Sequence, residues 1–218
     1  MTQPHSPQPD STQPAGVTAL PRQVRTRQRR DDIVANAANI FAREGYSNVG
    51  MRDIADAVGI KGASLYHHFP SKEDILFAIC LTVTQEPAEE NLPLLDAAGT
   101  PTERMSSLVC AHLVHLNRRR VEYIVGLHEL ASLTPEHRST IEDYRRQYQR
   151  RVRDVITAGM RSGEFTVPDA RLASFALTDM LNGISNWFHD GGELTIDDVA
   201  DAYVELAVHR VLGASHGD

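Results

Sequence analysis

A chain of 218 residues, 41% hydrophobic and 23% charged, is long enough for one or two domains with a real core. It has no run of 18 apolar residues and no apolar stretch near its start, so neither a membrane-spanning helix nor a secretory signal is expected. The net charge of −7 hides an asymmetry, because residues 21–72 carry nine Lys/Arg against five Asp/Glu while residues 73–218 carry thirteen against twenty-three. An acidic protein with one basic end places a polyanion site at that end. Cys80 and Cys110 form no C-x-x-C pair and read as buried reduced thiols, which points to the cytoplasm.

Residues 1–21 are Pro, Gln, Ser and Thr with almost no large apolar side chains. Such a stretch cannot offset its own ordering entropy and is expected to be a disordered tail. A basic arm of Arg22, Arg25, Arg27, Arg29 and Arg30 leads into a helix predicted over about 23–44. Ile33, Ala37, Ile40 and Phe41 hold helical spacing there, and Gly45 is the stop. From Met51 to Phe77 the chain reads as a short helix over 51–58, a turn at Gly59, a second short helix over about 61–68 and a stop at Pro70. Two short helices around a glycine turn are a helix-turn-helix, whose second helix enters the major groove of DNA. Ile54, Ala55 and Val58 make a small apolar face, while Leu65 and Phe69, four apart, anchor the second helix and leave Ser64 and Tyr66 to point elsewhere.

The candidate DNA contacts are Arg25, Arg29 and Arg52, then Lys61, Gly62, Ala63 and Ser64 at the front of the second helix, and Tyr66, His67 and Lys72. Residues at the start of a recognition helix face base edges: Lys61 can donate to guanine acceptors and Ala63 can touch a thymine methyl. Tyr66, His67 and Lys72 suit phosphate oxygens. His67 and His68 are adjacent and point apart, whereas zinc ligands on helices usually stand four apart, so no metal site is expected.

In order and spacing, Phe41, Gly45, residues 52–55 (RDIA), Gly59, residues 64–69 (SLYHHF) and residues 71–73 (SKE) resemble the DNA-binding domain of the TetR family of transcriptional regulators. The resemblance spans residues 33–77. It implies an all-α fold, with an N-terminal three-helix helix-turn-helix domain over 22–72 and a helical effector-binding and dimerisation domain over 73–218. Two positions depart from the pattern. Gly50 stands where the family usually has a hydroxyl residue that caps the helix and touches phosphate, and Gly62 stands where many members carry a long basic side chain.

Ser71 with Asp74 opens a linking helix with Ile75, Leu76 and Ile79 on one side, expected to end before Pro93 with a kink near Pro87. Thr100-Pro101-Thr102-Glu103 then combines an N-cap, a Pro at the first helical position and a Glu at the third. Met105, Leu108, Val109, His112, Leu113 and Leu116 follow at helical spacing. A helix over about 121–133 ends at the cap Thr134-Pro135. The long helix over 135–160 carries Ile141, Tyr144, Tyr148, Val152, Val155 and Ile156 on one stripe. Arg145, Arg146, Arg150, Arg151 and Arg153 lie largely off it, as a solvated face or a site for an anionic ligand. Gly163 ends this helix, Pro168 starts the next, Gly191-Gly192 turns the chain, and Thr195 with Asp198 caps the last helix.

The last two helices carry surplus apolar surface that fits a homodimer interface, with Phe175, Ile184, Phe188, Val199, Tyr203 and Leu206 as its candidates. The family resemblance implies the same, a four-helix dimer bundle. It also implies a small-molecule pocket in the C-terminal domain whose occupation releases the operator. Met105, Val109, His112, Tyr123, Leu127, Tyr144, Tyr148, Met180 and Trp187 are the candidate lining, a mixture suited to a sizeable apolar ligand with a few hydrogen bonds. Residues 133–138 (LTPEHR) and 191–195 (GGELT) resemble the branch of the family that responds to acyl-CoA thioesters. Thr178, Asn182 and Asn186, however, fill one face where a phosphate-binding member could carry arginine.

No strand pattern, Gly-rich phosphate loop or nucleophile elbow is present, so neither an enzyme nor a cofactor is expected. The function expected is a ligand-responsive repressor, a homodimer on a near-palindromic operator of double-stranded DNA, released by a small apolar effector such as an acyl-CoA. The alternative is an activator or regulator that answers a non-CoA hydrophobic compound such as a drug.

Overall fold

The protein is described by a computed structural model over residues 22–215. The expected tail, 1–21, lies outside the described residues, as do the side chains of Arg22, Gln23 and Arg25. The fold is all-α, with no strand among the described residues. Its helices are α1 (Arg22–Glu44), α2 (Met51–Val58), α3 (Gly62–His68), α4 (Lys72–Thr82), α5 (Gln85–Glu90), α6 (Pro101–Arg118), α7 (Arg120–His128), α8 (Pro135–Ser162), α9 (Ala170–Gly183) and α10 (Ile196–Val204). The last runs on into a wider π-helical segment, Glu205–Val211.

Local chemistry sets the boundaries. Gly59 ends α2 with φ 70° and ψ 38°, the left-handed geometry that glycine adopts without steric cost. At the other end of α2 the missing hydroxyl of Gly50 is partly made good, because the Asp53 carboxylate accepts the Gly50 N–H at 2.8 Å. Reciprocal caps start α6 at Thr100 and Glu103 and α10 at Thr195 and Asp198. The Ser71 hydroxyl accepts the Asp74 N–H at 3.1 Å, and the Thr134 hydroxyl accepts the His137 N–H at 3.3 Å.

Two helices differ from the pattern their sequence suggests. The linking helix does not kink at Pro87; it stops at Thr82, and α5 begins at Gln85. A proline has no N–H for the carbonyl four residues earlier and its ring collides with it, so the break falls at Val83. The apolar run that begins in α9 reaches Phe188, yet the α-helix ends at Gly183 and a tighter 3-10 turn follows over Ile184–Asn186. That turn swings Trp187 outward.

Two cores result. The first joins Ile33, Ala37 and Phe41 of α1, Ile54 of α2, Leu65 of α3 and Phe69 to Ile75, Leu76 and Ile79 of α4, and extends to Val125 of α7 and Ile141 of α8. The second fills the space among α6, α8, α9 and the last helix. Helix α4 belongs to the first core along its length and meets the second at Val83. At its far end α7 crosses it closely: a Cβ on Gly126 would lie 2.8 Å from Val83 Cγ2 and 3.5 Å from the Cys80 Cα. Only glycine permits that approach.

Candidate DNA surface and effector cleft

Helix α3 is fixed from behind and bare in front. Leu65 and Phe69 are fully buried, whereas Lys61, Gly62, Ala63, Ser64, Tyr66 and His67 are exposed, Tyr66 by 56%. Arg52 on α2 is exposed as well, and Arg29 is half-buried. Arg30, set apart in the sequence only as one member of the basic arm, clamps the end of α3. Its Nη1 donates to the His68 carbonyl at 2.6 Å and its guanidinium lies 4.0 Å above the Phe69 ring. Partial burial first, then the neighbouring His67, Arg30 and Arg29, hold the His68 imidazole below its ordinary range. A Cβ on Gly62 would meet nothing within 4 Å, so the fold does not require glycine there.

Lys72 has a partner inside the protein. Its Nζ donates to the Tyr46 carbonyl at 2.8 Å and sits 4.2 Å above the Tyr46 ring, tying the start of α4 to the turn after α1. Two of its three ammonium donors stay available for a phosphate. Lys72→Ala should therefore act twice. The melting temperature falls, because a charged hydrogen bond is worth about 1.5–3 kcal/mol. Operator binding weakens equally on all sequences, with a salt slope lower by about one. Anisotropy titrations at several salt concentrations check this; an unchanged slope would confine Lys72 to the structural tie.

Where α4 ends, six helices converge on a cleft. Val83 and Thr84 after α4, Pro87 of α5, His112 of α6, Leu127 of α7, Tyr144, Tyr148 and Gln149 of α8, and Thr178 and Asn182 of α9 line it. Its volume is about 80 Å³, well below the ~300–1,000 Å³ typical of ligand sites, so a ligand must part the helices to enter. Beside it runs a groove of about 600 Å³ between α8 and α9, lined by Arg145, Arg146, Arg150, Arg153 and Arg171. Arg145, Gln149 and Asp179 line both cavities. Arg146 is paired with Glu142 and Asp143, while no acid among the described residues pairs with Arg145, Arg150 or Arg153.

A chain of polar groups runs from the cleft into the core behind it. His112 Nδ1 lies 3.1 Å from the Tyr148 hydroxyl. One turn on, His115 Nδ1 lies 3.2 Å from the Tyr123 hydroxyl, and its Nε2 lies 3.4 Å from Glu86. Arg119 holds Glu86 through two bonds of 3.2 Å. Burial first, and the neighbouring His115 second, push the His112 pKa down to about 4 from its ordinary 6.5. The native imidazole therefore stays neutral while the unfolded one takes up a proton below about 6.5. Stability is unaffected above that pH and is lost as the pH falls from about 6.5 toward 4. At about 1.4 kcal/mol per unit, the loss is roughly 2 kcal/mol at pH 5. Urea unfolding of wild type and His112→Leu at pH 7 and pH 5 checks this, since the variant should lose that part of the slope.

Of the nine expected pocket residues the structure brings His112, Leu127, Tyr144 and Tyr148 to the cleft. Met105, Val109 and Tyr123 are core side chains, Met180 packs against the same core, and Trp187 is 48% exposed on the surface. These five lie outside the cleft lining, because a helical apolar face records burial and not whether a cavity adjoins it. Thr84, Gln149, Asp179 and the polar pair Thr178 and Asn182, four apart on α9, also line the cleft, and that polar pair is the signal the sequence carries for it. Asn186 is not part of the cleft lining. Of the six expected interface residues, Phe175 and Leu206 are exposed and Tyr203 is half-buried. Ile184, Phe188 and Val199 are at most 3% exposed, already claimed by the core of the single chain.

An exposed recognition helix on a helical body, with a cleft at the end of the linking helix, defines a DNA-binding regulator rather than an enzyme. Residues 33–79 match the family model of bacterial regulatory proteins of the tetR family, and residues 98–211, over half of the chain, match the tetracyclin repressor-like C-terminal domain. The chain belongs to the TetR family. It is similar to the HTH-type transcriptional repressor KstR2 of Mycobacterium tuberculosis, 29% identical over 182 residues, covering 83% of this chain and 91% of KstR2. The TetR family regulator PfmR from Thermus thermophilus superimposes with a TM-score of 0.75 at 31% identity, over 81% of this chain and 97% of PfmR. AibR, solved in complex with isovaleryl coenzyme A and operator DNA, gives a TM-score of 0.73 at 29% identity, over 83% of this chain and 98% of AibR.

Proposed function

We propose that this repressor works in the cytoplasm as a homodimer on a near-palindromic operator and that an acyl-CoA thioester releases it. The observation that carries the effector reading is the junction of cleft and groove at Arg145 and Gln149. A short acyl group suits the small cleft, and a phosphate-bearing head suits the unpaired arginines beside it. The basic side of the site comes from α8 and Arg171, which answers the absence of arginine at Thr178, Asn182 and Asn186. The complex of AibR with isovaleryl coenzyme A and operator DNA supports the same ligand class. For the dimer, Leu172 and Phe175 of α9 are 66% and 42% exposed, and Leu206 and Val211 on the last helix are 46% and 40% exposed. This apolar surface is the candidate face, and two heads then read two half-sites.

Release follows from the cleft being too small. Helix α4 holds the head at Lys72 and reaches the cleft at Val83, about 16 Å away. A ligand that parts the walls shifts the end of that lever, and a tenfold loss of operator affinity needs about 1.4 kcal/mol of preference for the parted form. The test is fluorescence anisotropy on DNA from upstream of the protein's own gene, titrated with a panel of acyl-CoA thioesters. Tight binding that one thioester reverses is the expected result. Tight binding that no thioester touches would discard the acyl-CoA reading and keep the DNA-binding one.

A further inference from the structure

Two buried polar atoms in the cleft lack partners, and together they describe a ligand. His112 is 4% exposed, and its Nε2 makes no hydrogen bond of ordinary geometry; the Asn182 side chain is the polar group beside the ring. Gln149 Oε1, on α8 next to Tyr148, is likewise buried and unpaired.

Which of them donates follows from their neighbours. If the Tyr148 hydroxyl donates to His112 Nδ1, one group is left over, the Nε2–H. If instead Nδ1–H donates to the Tyr148 oxygen, both the tyrosine proton and the bare Nε2 are left over. The Asn91 amide lies against the Tyr148 oxygen and acts on it as a donor does, so the hydroxyl proton goes to His112 Nδ1 and Nε2 carries the ring proton. The imidazole is neutral at pH 7, as its pKa of about 4 requires. For Gln149, the Thr178 hydroxyl has one proton, which goes to the Ser174 carbonyl at 3.0 Å or the Phe175 carbonyl at 3.1 Å. Thr178 must then accept from Gln149 Nε2, which leaves Oε1 as the buried, unpaired acceptor of a residue that lines the cleft.

Resting on the reading of this cleft as the effector site, we infer that its ligand is a hydroxyacyl thioester, the carbonyl accepting from His112 Nε2–H and the hydroxyl donating to Gln149 Oε1. A plain acyl chain would leave the Gln149 oxygen buried and unpaired. Sites built around a substrate hydroxyl reject the analogue that lacks it for this reason. The amide groups of a CoA arm offer the same donor and acceptor chemistry, but every thioester of the series carries them, so they cannot favour the hydroxylated member.

The experiment is calorimetric titration of the full-length protein with matched pairs of acyl-CoA and 3-hydroxyacyl-CoA of equal chain length. Wild type should bind the hydroxylated member at least tenfold more tightly, and Gln149→Leu should abolish that preference. Equal affinities in wild type, or a preference that survives Gln149→Leu, would overturn the inference. If both members bind equally and Gln149→Leu weakens both, the glutamine reads an amide and the hydroxyacyl assignment is wrong. Binding of free 3-hydroxy acids but of no thioester would remove the CoA reading and retain the donor–acceptor pair; binding of neither class overturns both. Imidazole ¹⁵N NMR of the unliganded wild type needs no variant. It should show His112 neutral and protonated at Nε2 at pH 7, and an Nδ1-protonated ring would overturn the assignment.

Discussion

Phe69→Ala is expected to destabilise the protein by about 3–5 kcal/mol and to cost roughly 100-fold or more in operator affinity. Phe69 is fully buried at the foot of the recognition helix, its N–H closing that helix on the Leu65 carbonyl at 2.9 Å. Truncation removes the ring from the head core and also the surface on which Arg30 rests, so the clamp on the His68 carbonyl loses one of its two supports. A seven-residue helix cannot hold itself in water and takes its position from such anchors. Phe69→Leu, which keeps most of the volume, should recover most of both losses. Urea unfolding and anisotropy on the same operator give the two numbers. An alanine variant that binds the operator like wild type would show that Leu65 alone positions α3.

The legible parts of this protein were those whose cause lies within a few residues. Gly59, the caps at Ser71, Thr100, Thr134 and Thr195, and the i, i+4 anchors Leu65 and Phe69 each act on their own turn, so a reading of the string recovers them. The cleft was legible only in part because its walls come from helices spread over residues 83–182. Periodicity identifies a face that will be covered but not what covers it. Ile184, Phe188 and Val199 show this at the expected dimer face, and Met105, Val109 and Tyr123 show it at the expected pocket. The polar residues were better guides than the apolar ones. Thr178 and Asn182 interrupt an apolar helix four residues apart, and both line the cleft.

Glu73→Ala is expected to leave operator binding largely intact and to uncouple it from the effector. The Glu73 carboxylate accepts the Thr134 N–H at 2.8 Å and reaches His137 Nδ1 at 2.8 Å, and the His137 ring stacks 3.8 Å from Phe77. These contacts join the first turn of α4 to the first turn of α8. From that joint both helices run to the cleft, α4 to Val83 and α8 to Tyr144, Tyr148 and Gln149. Two rods pinned at one end and parted at the other must rotate about the pin, which turns a widened cleft into a displaced head. Without the pin, the cleft can open while α4 stays with the head. Typical coupling of about 5–150-fold between effector and operator should then shrink toward unity. Glu73→Gln, which can still accept from Thr134, should retain part of it. His137→Ala should mimic Glu73→Ala, and the double variant should add little, because the two residues form one contact. Operator affinity measured with and without saturating effector decides it. A Glu73→Ala protein that responds as strongly as wild type would place the pivot elsewhere, with the close crossing of Gly126 over Cys80 as the next contact to break.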